Sequence, residues 1–155
     1  MRRRFIQGLA LSSILVTICA RADVPTTRVQ DLTLELPAGW NSVQQALDVG
    51  TGVFVFSNAN ATVSLFVRAG EYPDPQQFMV NGSTVVTPQS RTSFNGHAWT
   101  VMETRKNQAS GSAIPAQSVF GFFGKYQGNA YFGYARSGSS DSARSAAIEF
   151  LTSLH

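Results

Sequence analysis

Residues 118–136 read SVFGFFGKYQGNAYFGYAR, and seven of these nineteen side chains are aromatic: Phe120, Phe122, Phe123, Tyr126, Tyr131, Phe132 and Tyr134. A polar Gln127-Gly128-Asn129 turn splits the stretch into two runs of strand length. Aromatic rings suit a pleated, half-buried surface, and Gly and Asn tolerate the positive φ of a tight turn. The stretch therefore predicts a long β-hairpin at the centre of a sheet. Phe120 and Phe122 share one face of it. Phe123 points the other way, and Tyr131 opposes Phe132 and Tyr134. A sheet with aromatics on both faces is either covered twice or leaves an apolar patch open. Phe123 and Tyr131 are accordingly the candidate contact surface.

Working outward, the chain offers more strands and a closing helix. Asp31–Leu36 alternates leucines with polar residues, as a half-buried strand does, and Pro37-Ala38-Gly39 ends it. Asn41–Asp48 fits either a short helix, with Ser42 and Gln45 as a capping box, or an irregular turn. Gly52–Phe56 and Thr62–Arg68 read as a hairpin. Asp74-Pro75 places an N-cap before a first-turn proline, with Gln77 three residues after the cap, so a short helix is expected to Val80. Asn95-Gly96 joins Gln89–Phe94 to His97–Arg105 in a second hairpin. Lys106–Pro115 is small and polar and reads as a mobile surface loop. Asp141 is the expected cap of a final helix to about Leu154, with Ala143, Ala147, Phe150, Leu151 and Leu154 on its apolar face. The expected fold class is α+β: an antiparallel sheet of six to seven strands covered by the C-terminal helix and short helices.

The first residues predict export. Arg2-Arg3-Arg4 is a basic start, Gly8–Ala20 is apolar, and Ala20-Arg21-Ala22 has the small-x-small pattern of a signal-peptidase site. Cleavage after Ala22 leaves one domain, 23–155; cleavage after Ala20 is the alternative. The apolar run is too short to span a bilayer, so no membrane span is expected in the mature chain. The arginines also fit twin-arginine export, and Cys19 is a candidate lipidation site with Ile18 where a small residue is required. Residues 1–22 hold four arginines and no acid, so the rest carries eight basic and nine acidic side chains, a formal charge of −1. No electrostatic footprint for nucleic acid remains. Cys19 is the sole cysteine, so neither a disulfide nor a thiolate site is expected after it.

Catalytic chemistry finds little to build on. The chain has two histidines, His97 beside a hairpin turn and His155 at a frayed end, and no G-x-S-x-G elbow. Ser139-Ser140-Asp141 reads as a helix start. His97 with Glu103 is too few ligands for zinc. Glu35 and Glu103 are the best strand-borne carboxylates for glycosidase chemistry, and both are expected to face solvent. No catalytic residue, metal site or cofactor is expected.

The order of elements resembles the PsbP-like fold. LTLELPAGW (Leu32–Trp40) looks like its strand and L-P-x-G-W opening, FNGHAWTVMETR (Phe94–Arg105) is similar to its glycine-centred hairpin, and the aromatic hairpin runs into a helix ending F-L-T-S-L. The fold is shared by extrinsic PsbP proteins of photosystem II, a yeast Ran-binding nuclear protein, bacterial periplasmic lipoproteins of the DcrB type and chaperones of type VI secretion effectors. The last lack an export signal, so this chain departs from them. The family has no shared catalytic residues. The resemblance implies an α/β/α sandwich and an exported, periplasmic or secreted accessory domain that binds a protein partner in the cell envelope. The alternative is a carrier of a small apolar or glycan ligand on the aromatic sheet face.

Overall fold

The computed structural model describes residues 26–48, 50–80, 82–108, 110–113 and 115–155. The expected export signal, including Ala20 and Ala22, lies outside them, as do Ala109 and Ile114 of the expected 106–115 loop.

The elements in order are β1 (Thr26–Val29), β2 (Leu32–Glu35), β3 (Asn41–Asp48), β4 (Thr51–Ser57), β5 (Thr62–Ala69), α1 (Pro75–Met79), β6 (Thr84–Phe94), β7 (His97–Lys106), β8 (Gln117–Tyr126), β9 (Asn129–Ser137) and α2 (Ser140–Thr152). Strands β3 to β9 form one antiparallel sheet in the order β3-β4-β5-β9-β8-β7-β6. Two meanders build it. β3-β4-β5 runs from one edge inward; α1 then carries the chain across to the far edge, and β6-β7-β8-β9 returns until β9 pairs with β5. The aromatic stretch supplies β8 and β9, two of the three central strands. Its turn is two residues long, with Gln127 at φ 48° and Gly128 at φ 81° between paired Tyr126 and Asn129. Asn95 and Gly96 repeat this geometry.

Three expectations about elements are corrected. Asn41–Asp48 is neither a helix nor an irregular turn: it is strand β3, paired with β4 through a register shift between Ser42 and Gln44. Its helical spacing loses to the ladder that β4 offers. The strand expected to begin at Gln89 begins at Thr84, tolerating Pro88 because β6 is an edge strand. The cap of α2 is Ser139, whose hydroxyl accepts from the Ser142 amide; Asp141 sits in the first turn.

Both sheet faces are covered at the centre, giving an α/β/α arrangement. On one face, Ala143, Ala147, Phe150 and Leu151 of α2 pack with Phe56, Val63, Leu65, Phe122 and Ala135, joined by Val29, Leu32 and Leu34 of the β1–β2 hairpin. On the other, Met79 of α1 packs with Met102, Phe123, Ala130 and Phe132, flanked by Tyr72, Phe78 and Phe66. Phe78 meets Phe123 and Phe132 edge-on, at 5.6 and 5.5 Å between centroids, and Phe66 stacks on Phe132 at 5.5 Å. Gly124 is bare because a Cβ there would lie 2.8 Å from the Trp99 ring.

The end of the chain is tied down rather than frayed. Thr33 and His155 exchange backbone hydrogen bonds of 2.9 Å, and the Asn95 side-chain amide donates to the Leu154 carbonyl at 2.7 Å. Residues 153–155 thereby extend the edge of β2.

Candidate functional site

Phe123 and Tyr131 do occupy opposite faces, as their alternation requires, but neither offers a contact surface. Each is 1 % exposed. Phe123 lies under Tyr72 and Phe78. Tyr131 sits under the N-terminal hairpin, where its hydroxyl donates to the Val29 carbonyl at 3.3 Å and accepts from the Asp31 amide at 3.1 Å. Burial pushes its phenol above the ordinary range. The expected contact residues therefore hold covering elements down. Rings whose alternation exposes them on an isolated hairpin are buried here by segments distant in sequence, the α1 region over Phe123 and the β1–β2 hairpin over Tyr131.

The catalytic candidates of the sequence do not converge on one site: His155 lies 3.9 Å from Glu35, while His97 and Glu103 stand elsewhere. His97 packs edge-on against Tyr126, with centroids 5.0 Å apart. His155 contacts Asn95, and Glu35 is exposed near it. Among the described residues there is no group of three His, Cys, Asp or Glu that could hold a metal ion. None of their helices is long and apolar enough to cross a membrane.

Glu103 departs from expectation. It was expected to face solvent, yet it is 6 % exposed, on the face that α2 covers. Its carboxylate accepts from Arg144 Nε at 2.6 Å and Nη2 at 2.9 Å, and from the Thr87 hydroxyl at 2.9 Å. The Arg144 bonds outweigh burial and hold the carboxyl below its ordinary value. Register explains the site: Thr87, Glu103 and Phe120 lie opposite one another across β6, β7 and β8. The constellation thus pins α2 to the β6–β7 end of the sheet.

Beside this ion pair an open groove of about 350 Å³ runs between α2 and β6. Val101 and Phe120 form its floor, Phe94, Thr92 and Ser90 its β6 side, and Arg144 and Ile148 its helix side. Ile148, one helical turn from Arg144, is 36 % exposed. Along β6, residues 84–91 are all exposed. The groove has no direct sign in the sequence: neither Arg144 nor Ile148 stands out until α2 is set over the sheet. Their spacing of four on one helix is the only local signal.

A second hollow, of about 270 Å³, opens on the opposite face of the same sheet end. It is bounded by Tyr72, Arg91, Thr100, Phe123 and Lys125 around Ala98.

No protein-family model matches the sequence, and no curated protein sequence matches it. Among solved structures, the solution structure of cyanobacterial PsbP (CyanoP) from Synechocystis sp. PCC 6803 matches with a TM-score of 0.57 at 14 % sequence identity, over 91 % of this chain and 98 % of that chain. The chain therefore has the PsbP-like fold that its element order and LPAGW opening suggested.

Proposed function

We propose that this protein is an exported, non-catalytic binding domain that holds a segment of a partner protein in the groove between α2 and β6. The observation that carries the reading is the groove itself: a floor of half-buried Val101 over buried Phe120, beside Ile148, which is 36 % exposed. An apolar side chain of the partner fills it, with the driving force of burying that surface. Arg144 is half exposed at the groove wall and Arg91 lies at its edge, against one carboxylate, Glu103. The rim is net positive, so the partner segment carries an acidic residue beside its apolar one. It does not add as a strand: Pro88 and two register shifts interrupt β6 as a pairing template.

Two further features support the reading, one for binding over catalysis and one for export. Glu103, the one buried carboxylate among the described residues, accepts from Arg144 and Thr87 and is held ionised, which suits a structural anchor and not a proton donor. The basic start and the small-x-small pattern at Ala20 and Ala22 support export.

The test replaces Ile148 with a photo-crosslinking residue, and separately Val43, which is 63 % exposed at the other edge of the sheet. In envelope extract, position 148 should capture one partner that position 43 does not, and Ile148→Glu should abolish capture from neighbouring groove positions. Equal capture at both positions, or capture unaffected by Ile148→Glu, overturns the proposal. An envelope small molecule that shifts Trp99 emission, with no protein captured, favours the carrier alternative.

A further inference from the structure

One cross-strand row on the α1-covered face carries a separate site. Strand register aligns Arg91, Thr100, Phe123, Phe132 and Phe66 across β6, β7, β8, β9 and β5. The Phe78 and Tyr72 rings cover Phe123, Phe132 and Phe66. The rings stop short of Arg91, which is exposed, and the 270 Å³ hollow lies at this end of the row. Its floor is Ala98 and Thr100, small enough to leave space. One wall is aromatic, from Tyr72 and Phe123, whose centroids are 5.7 Å apart.

Its polar groups converge on that space. Thr100 is 8 % exposed, and its hydroxyl has no hydrogen-bond partner among the described residues. The hydroxyl is open to the hollow, and so can donate to a ligand lying there. Arg91 forms no ion pair among the described residues either. Lys125, on the strand-end side, pairs with Glu71, whose own side chain is 76 % exposed. One unpaired guanidinium, one ammonium with a replaceable exposed partner and one idle hydroxyl thus face an aromatic wall.

We propose that this hollow binds a small organic carboxylate with an aromatic or compact apolar body. The carboxylate lies between Arg91 and Lys125 and accepts from Thr100; the body packs on Tyr72 and Phe123. Arg91 provides the planar two-pronged donor that a carboxylate matches. The site goes beyond partner binding and stands on different residues, apart from Arg91, which borders both hollows.

The test is an amide-resolved NMR titration of the protein expressed from the full-length sequence, with benzoate, cyclohexanecarboxylate and neutral benzamide as probes. Either carboxylate should move the amides of Ala98–Thr100 and Gly124–Lys125 in a saturable way, and benzamide should not. Lys125→Gln should weaken carboxylate binding about fivefold, and Glu71→Gln, which releases the ammonium, should tighten it by a similar factor. Thr100→Val, nearly isosteric, should weaken it as well. The proposal is overturned if neither carboxylate moves those amides, if benzamide moves them equally, or if Lys125→Gln and Glu71→Gln both leave affinity unchanged. Ile148→Glu, across the sheet, should change none of these values, which separates failure here from failure of the groove.

Discussion

Replacing Arg144 with methionine tests whether the buried carboxylate of Glu103 is held by that one partner. Glu103 is 6 % exposed and takes two of its three side-chain hydrogen bonds from Arg144. Breaking a fully buried ion pair from one side costs about 3–5 kcal/mol, because the remaining charge stays unpaired. Arg144 is itself 48 % exposed and the groove is open, so water reaches the orphaned carboxylate. The expected loss is therefore smaller, about 2 kcal/mol at neutral pH. The double variant Glu103→Leu, Arg144→Met removes both charges and should recover most of it, ending within about 1 kcal/mol of the wild type. The pH dependence has a definite sign. In the wild type the folded carboxyl titrates below its ordinary value of 4.5, so the pair's contribution is complete above that pH and fades as pH falls through the lower folded value. Without Arg144, burial raises the carboxyl, so the penalty eases as pH falls from neutral toward 4.5. The stability gap between wild type and Arg144→Met should thus be wider at pH 7 than at pH 5. Urea unfolding followed by the emission of Trp40 and Trp99 measures it. A single variant as stable as wild type, or a double variant less stable than Arg144→Met, refutes the account.

Gly133→Ala should destabilise by about 3 kcal/mol or prevent folding, because the added Cβ would lie 2.0 Å from the Ser64 carbonyl oxygen, backbone that cannot yield; yield of folded protein and urea midpoint report it. Tyr131→Phe should cost about 1 kcal/mol and speed hydrogen exchange at the Asp31 amide, which loses its acceptor. Phe78→Ala strips the ring that meets Phe66, Phe123, Phe132 and Tyr134 and should cost about 2–3 kcal/mol by the same unfolding assay. Intact mass of the exported protein should correspond to residues 23–155; a mass retaining Met1 to Ala20 contradicts processing.

What could be read from the sequence was whatever local chemistry decides. Asn95-Gly96 and Gln127-Gly128 set two hairpins because few residues accept positive φ at both turn positions. Asp74-Pro75 started α1, with the Asp74 carboxylate accepting from the Gln77 amide at 2.9 Å. Strand alternation placed Phe123 and Phe122 on opposite faces. What stayed hidden depends on partners far along the chain. NSVQQALD carries a weak helical spacing and becomes β3 through pairing with β4. Glu103 looks like a solvent-facing strand residue until Arg144, 41 residues on, is laid over it. The burial of Tyr131 needs Val29 and Asp31, about a hundred residues earlier. Both candidate hollows share this character, since each joins side chains from at least three elements.

The position of those hollows follows from the width of the sheet. Seven strands at about 4.8 Å spacing make a surface roughly 30 Å across, whereas a helix with its side chains is about 10 Å wide. One helix on each face therefore covers two or three strands. The centre has the strongest claim on that cover, since β5, β9 and β8 carry Leu65, Phe132, Phe122 and Phe123 on their two faces. Beside them Trp40 and Phe56 pack on Phe150, and the β1–β2 hairpin lies over Tyr131, with Leu32 next to Trp99. That cover reaches the Phe94 end of β6 but stops short of residues 84–91. Its exposed run, 84–91, mixes threonine, serine, glutamine and one arginine with Val85 and Val86, and Pro88 with two register shifts blocks its outer edge. An edge guarded against strand pairing, with open ground on both faces beside it, favours recognition by side chains over sheet extension. Both proposed sites lie there, one on each face, with Arg91 at the border between them.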